Sequence, residues 1–354
     1  MAEIDDLLRY LKNEGGSDLH LAAGIEPRVR IHGDLRQVEG WSVLTHEALR
    51  RMLRGIATDA QWTIYEETHD LDFAYGLEGT ARFRANYFEQ AGGAGAVFRI
   101  IPEKIIPFED LHLPPAIEQL VHLEKGLVVV TGPTGSGKST TLAAIIDKIN
   151  RTYAKHILTL EDPVEFVHEN KRCVFSHREV GSHTKSFGAG LRAAIREDAD
   201  VVLVGEMRDP ETISLAITAA EMGMLVFGTL HTNNAPKTID RIIDSFPADE
   251  QSHARASLAE SLAGIVAQLL LPTANGKGRR AVNEILLRTK SLPNIIREAN
   301  TSMLASYIQQ GKNAGMQLMD DALFELAKSG EIPTHDAYMK ASDKARFEPL
   351  LPKE

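Results

Sequence analysis

The sequence predicts an α/β chain in two parts, a smaller α+β domain followed by a larger one built on a parallel sheet with helices on both faces. Three observations carry that expectation. Asp70–Tyr75, Ala81–Phe88 and Gly95–Ile101 alternate apolar and polar residues at period two, as antiparallel strands with one wet face do. From Gly126 onward, apolar runs rich in β-branched residues alternate with helical stretches instead. Between the first such run and the first such helix lies a glycine-rich loop, Gly132-Pro133-Thr134-Gly135-Ser136-Gly137-Lys138-Ser139-Thr140.

In chain order, Ile4, Leu7, Leu8 and Leu11 recur at helical spacing over residues 1–12, and Glu14-Gly15-Gly16 ends that helix. Strands follow over Ser17–Leu21, Pro27–His32 and Leu35–Val38, with a turn at Gly33-Asp34. Thr45–Ile56 and Thr58–Glu67 read as amphipathic helices behind threonine caps. Pro102, Pro107, Pro114 and Pro115 interrupt the next stretch, so we expect a first domain over 1–101, a linker over 102–115 and a second domain over 116–354. Within the second domain the expected strands are Leu127–Thr131, His156–Leu160, Val201–Gly205, Leu225–Leu230 and Ala281–Leu287. Helices are expected near 138–150, 187–197 and 210–222, over a long segment from Asp249 to Leu271, and near 291–299, 302–310, 317–329 and 334–342.

Composition narrows the classes. No apolar run approaches the roughly 20 residues of a membrane span, and the acidic start lacks a secretory pattern, so a cytoplasmic protein without membrane insertion is expected. The single Cys173 can form no internal disulfide and no cysteine cluster for zinc. A net charge of −10 argues against a broad nucleic-acid surface, although a local basic channel stays open.

The loop carries the chemistry. A G-x-x-x-x-G-K-[ST] spacing between strand and helix turns backbone N–H groups inward around phosphates and offers the positive end of the next helix. Lys138 is then placed for the β- and γ-phosphates and Ser139 for Mg²⁺. Val201-Val-Leu-Val-Gly-Glu206 is an apolar strand ending in an acid, as expected of a Walker B element that holds Mg²⁺ through water or positions the nucleophile. His156–Glu161 ends in a cluster of carboxylates before Pro163, which makes Glu161 and Glu165 both candidates for general base, or surface acids that cap the turn. His231 ends the strand Leu225–Leu230, either as a γ-phosphate sensor or as an ordinary hydrogen-bonding residue.

Four elements occur in the order and spacing of the secretion-superfamily ATPases, and the chain resembles that family over essentially its whole length. They are the Walker A loop, an Asp box (Thr159-Leu-Glu-Asp-Pro-Val-Glu165), a Walker B segment running into Gly205-Glu-Met-Arg-Asp209, and a His box (Gly228-Thr-Leu-His-Thr232). Ser17-Asp-Leu-His-Leu21 and Gly93-Ala-Gly-Ala-Val-Phe-Arg99 resemble the pilus retraction motors of that family. The resemblance implies a PAS-like first domain, a RecA-like P-loop core and a homohexameric ring. It implies that Glu165 is the catalytic Asp-box acid, Glu206 the Walker B acid and His231 the His-box residue. Arg84 and Arg99 match positions from which the family projects arginines into a neighbouring subunit's site, with Arg82 a lesser third. Arg192 and Arg196 are read as sharing one helical face, for a subunit contact or for pairing with Asp198 and Asp200.

The function implied is Mg-ATP hydrolysis that powers type IV pilus retraction, in a cytoplasmic ring docked at an inner-membrane platform protein of the pilus machinery. Pilus assembly or type II secretion ATPases are the near alternatives, disfavoured by the single cysteine and the short chain; DNA translocation is opposed by the acidic balance. A weakly hydrolysing accessory ring is the alternative outside catalysis. One departure stands out: the family's retraction motors carry Ala-Ile-Arg-Asn-Leu-Ile-Arg-Glu where this chain has Ser291-Leu-Pro-Asn-Ile-Ile-Arg-Glu298, so Pro293 replaces an arginine.

Overall fold

The computed structural model describes residues 3–31, 33–101 and 104–351. Met1 and Ala2 of the first predicted helix, His32 of a predicted strand, Pro102 and Glu103 of the predicted linker and the last three residues lie outside them. Packing divides the chain into two units, Met1–Lys104 with Pro163–Val167, and Ile105–Asp162 with His168–Glu354.

The first unit is a six-stranded antiparallel sheet: β1 (Asp18–Ala22), β2 (Arg28–Ile31), β3 (Asp34–Gln37), β4 (Asp70–Leu77), β5 (Ala81–Gln90) and β6 (Gly93–Ile101), in spatial order β3-β2-β1-β6-β5-β4. Period-two patterning sends Phe83, Ala85 and Tyr87 of β5 into a core shared with Leu7, Leu8, Leu49 and Leu53 from the helices Asp5–Asn13 and His46–Arg54. Thr45 and Thr58 cap the helices that follow them, Thr58 in a reciprocal capping box with Gln61. The other sheet face carries the charges, and Asp18, Arg99 and Arg84 stand directly opposite one another on β1, β6 and β5.

The second unit contains a seven-stranded sheet. Its strands are β7 (Gly126–Thr131), β8 (His156–Glu161), β9 (Val174–Glu179), β10 (Val201–Val204), β11 (Leu225–Leu230), β12 (Leu262–Pro272) and β13 (Arg279–Leu287), in order β13-β12-β7-β11-β10-β8-β9. All neighbours run parallel except the antiparallel β12–β13 pair at one edge. Every residue of β7, β10 and β11 is buried, which is why these strands read as continuous apolar runs.

The structure corrects several expectations. The predicted helix Asp249–Leu271 stops at Ser261, and Leu262–Pro272 is a strand between β7 and β13. A continuous apolar run has no period to separate buried strand from buried helix, and pairing on both edges decided the matter. Strand β9 lies in a stretch where no strand was expected. The helix predicted to 197 ends at Ala194, so Arg196 falls in the turn beyond it and shares no helical face with Arg192. Arg192 pairs with Glu211 at 2.5 Å, not with Asp198 or Asp200. Within the stretch read as linker, Phe108 is buried in the core of the second unit and His112 O accepts from Arg280 Nη1 at 2.8 Å. Pro293 occupies the first turn of the helix Leu292–Arg297, where its missing N–H leaves no bond unmade.

Candidate active site

The site grows from the C-terminal ends of β7, β10 and β11, where ligands bind open parallel sheets. Residues 132–137 leave β7 and enter the helix Lys138–Thr152 with Gly137 as N-cap in the left-handed region, φ 83°. Gly132 has φ 146°, and a Cβ there would sit 2.2 Å from the carbonyl oxygen of Gln268 and 2.7 Å from Ser136 Oγ. No side chain fits that gap, so the first glycine of the motif is dictated by the close approach of β12. Pro133, Thr134 and Gly135 are exposed, whereas Ser136 is buried with a hydroxyl that has no hydrogen-bond partner. Lys138 Nζ donates to the carbonyls of Gly132 (2.9 Å) and Pro133 (3.2 Å), so its ammonium lies against the loop. Ser139 and Thr140 begin the helix, half-buried.

Beside the loop, Thr131 Oγ1 donates to the Thr232 carbonyl (2.7 Å) and accepts from Thr232 N–H (2.9 Å), tying the end of β7 to the His box. Met207 N–H donates to Thr229 O at 3.1 Å, which ties the Walker B tail to β11. These ties bring Glu206 and His231 together: His231 Nε2 lies 3.1 Å from Glu206 Oε1, and Arg208 Nη2 donates to Glu206 Oε2 at 2.7 Å. The Arg208 hydrogen bond, opposed by partial burial and aided by His231, holds the Glu206 carboxyl below the usual carboxylate range. Asp209 is spent structurally, accepting from the N–H and the hydroxyl of Thr212 as cap of the helix Pro210–Glu221.

The structure thus assembles the loop, Glu206 and His231 within the second unit. Glu161 is buried at the end of β8, and Glu165 is exposed in the segment that packs with the first unit. Arg99 and Arg84 stand on the first unit's sheet, Arg99 Nε donating to Asp18 Oδ1 at 2.7 Å and Arg84 Nε lying 3.6 Å from Asp72 Oδ1.

Sequence reasoning missed Gln268. Its side chain, 2% exposed, donates from Nε2 to Ser136 O (2.6 Å) and accepts at Oε1 from Thr141 Oγ1 (2.9 Å) and Asn283 Nδ2 (3.0 Å). The available signal was an amide inside an apolar run, but the run was read as helix, where a lone glutamine carries no such meaning.

A parallel sheet, a phosphate loop opening a helix and an acid at the end of the next strand but one define a P-loop nucleotide-binding protein with a RecA-like core. The chain belongs to the Type II/IV secretion system protein family, whose model matches residues 3–331. It is 47% identical over 345 residues to the "Type IV pilus retractation ATPase PilT" of Pseudomonas aeruginosa, spanning 98% of this chain and 100% of that protein. It is also 47% identical over 317 residues to a "Twitching motility protein" of Neisseria gonorrhoeae, spanning 90% and 84%. Among solved structures, "Crystal Structure of the Pilus Retraction Motor PilT and Bound ADP" superposes with a TM-score of 0.90 at 41% identity, covering 99% of this chain and 100% of that one.

Proposed function

We propose that this chain is the Mg-ATP-hydrolysing motor of type IV pilus retraction, working as a homohexameric ring. The observation that carries the reading is the complete loop with Glu206 held ionised beside His231, in a chain 47% identical to a retraction ATPase along its whole length.

The local chemistry suits a triphosphate. The helix start offers N–H donors, Lys138 offers positive charge, and the unpartnered Ser136 hydroxyl is a donor in want of an acceptor. Mg²⁺ suits the same place: it favours oxygen ligands and keeps waters, and the Ser139 hydroxyl and Glu206, directly or through water, are the groups that would hold it. When bound, the ion supplies neutralisation of charge on the β- and γ-phosphate oxygens. His231, against Glu206, is set to report the γ-phosphate to that acid. Glu165 is proposed as the general base that takes the proton of the attacking water. Arg84 and Arg99, from an adjacent subunit, would stabilise charge at the transferring phosphoryl group.

Among the described residues no helix is long and apolar enough to cross a membrane. The proposed place of the ring is the cytoplasmic side, peripheral to the inner membrane and bound to a pilus platform protein. Nucleic acid is not expected as a partner, given the net charge of −10. Deleting the gene in its host tests the reading. Abundant surface fibres that no longer shorten are expected; loss of all fibres would mean an assembly role instead.

A further inference from the structure

We infer that Gln268 is a positioning residue for nucleotide binding: its amide fixes the phosphate loop to the last two strands of the sheet. The inference rests on nucleotide binding at the loop. A phosphate loop binds through the aim of backbone N–H groups, so its affinity depends on what holds the backbone still. In this chain the support comes from β12. The Gln268 carbonyl is the atom that Gly132 must avoid, and Gln268 Nε2 would lie 3.1 Å from a Cβ on Gly137, so both motif glycines are moulded on this one residue. Its Nε2 then holds the carbonyl oxygen of Ser136, the last but one residue of the loop, while its Oε1 takes the Thr141 hydroxyl, one helical turn beyond the loop's end. Loop and helix start are thereby clamped to one planar group.

The clamp is itself held from the far side. Asn283 on β13 donates to the same Oε1, and Gln317 Nε2 donates to the Asn283 carbonyl at 2.8 Å. Gln268, Asn283 and Thr141 are each at most 2% exposed, so water cannot replace a lost partner. A buried amide costs stability unless both ends are paired, and here both ends are paired. What the amide adds is a fixed loop.

The link acts on bound nucleotide in ground state and transition state alike, so its loss raises KM and leaves kcat nearly unchanged. The test measures Mg-ADP affinity by titration calorimetry and steady-state ATP hydrolysis on the full chain carrying Gln268→Met, which keeps length and volume but has no amide. The expected result is a rise of about tenfold or more in both the ADP Kd and the KM for ATP, with kcat within about threefold. A lowered melting temperature with Kd and KM within about twofold of the unsubstituted chain would reduce Gln268 to a packing residue and overturn the inference. Should Gln268→Met give no folded protein, Thr141→Val cuts the same clamp at its other end, and a threefold or larger rise in ADP Kd is expected; an unchanged Kd overturns it. Failure of the unsubstituted chain to bind Mg-ADP would instead overturn the reading of the site itself, and this inference with it.

Discussion

His231 Nε2 and Glu206 Oε1 meet 3.1 Å apart across the ends of two adjacent parallel strands, β11 and β10, with Arg208 gripping the other carboxylate oxygen. The pair joins two motifs that lie 25 positions apart in sequence, and neighbouring strand ends make the meeting unavoidable. Glu206 therefore has a cation or imidazole on each oxygen, and its charge is stabilised before any substrate arrives.

That arrangement fixes a pH dependence. A carboxyl held below its usual range stays ionised as pH falls, and whatever depends on its charge is lost only when pH drops through the depressed value. Arg208→Ala removes the largest cause. The acid limb of the kcat/KM profile should move to higher pH, while the rate on the neutral plateau falls far less; an unmoved acid limb would show that Glu206 ionisation does not govern turnover.

Gly132→Ala should nearly abolish nucleotide binding. The new Cβ would be driven to 2.2 Å from the Gln268 carbonyl at φ 146°, so loop or strand must shift. A displacement costing about 3 kcal/mol corresponds to roughly a hundredfold loss of ADP affinity, measurable by calorimetry. Gly135→Ala is the informative comparison, since a Cβ there meets nothing within 4 Å and only the φ of 80° opposes it.

His168 should make the fold acid-sensitive. Its ring is buried, stacks on Phe175 with centroids 4.9 Å apart, and leaves Nδ1 without a partner. Burial, with His177 and Lys171 adding to it and Asp147 opposing, pushes its pKa from 6.5 down to about 4. The unfolded chain thus binds a proton that the folded chain refuses, and stability falls as pH drops from 6.5 towards 4. At about 1.4 kcal/mol per pH unit the loss approaches 3 kcal/mol and levels off below the folded-state value. Urea midpoints across this window should flatten in His168→Phe relative to the parent.

On the proposed role of Arg84 in an adjacent subunit's site, Arg84→Ala should slow hydrolysis by about a thousandfold while leaving ADP affinity intact. Mixtures of Arg84→Ala and Lys138→Ala chains should regain part of the activity that neither has alone. No recovery on mixing would place the arginine's action within its own subunit.

The loop was legible because it is local: a buried strand, six loop residues and a helix start are consecutive, and each glycine has a steric reason. The buried parallel strands were legible for the same reason, since two covered faces force continuous apolar runs. Leu262–Pro272 was not, because its residues suit a buried helix equally well and only pairing with β7 and β13 decided. With it went Gln268, whose meaning depends on Ser136, 132 positions earlier. Arg192 was misread for a related reason: a helix that ends at Ala194 leaves Glu211, a partner brought in by the next helix, nearer than the acids close by in sequence.

The most direct test of the account is Glu206→Gln in the purified protein, assayed for nucleotide binding and for turnover side by side. We predict ATP and ADP affinities within about threefold of the unsubstituted chain and hydrolysis lower by about a hundredfold or more. Turnover within twofold of the unsubstituted rate would contradict it, because the acid that His231 and Arg208 hold in place would then have no part in the reaction.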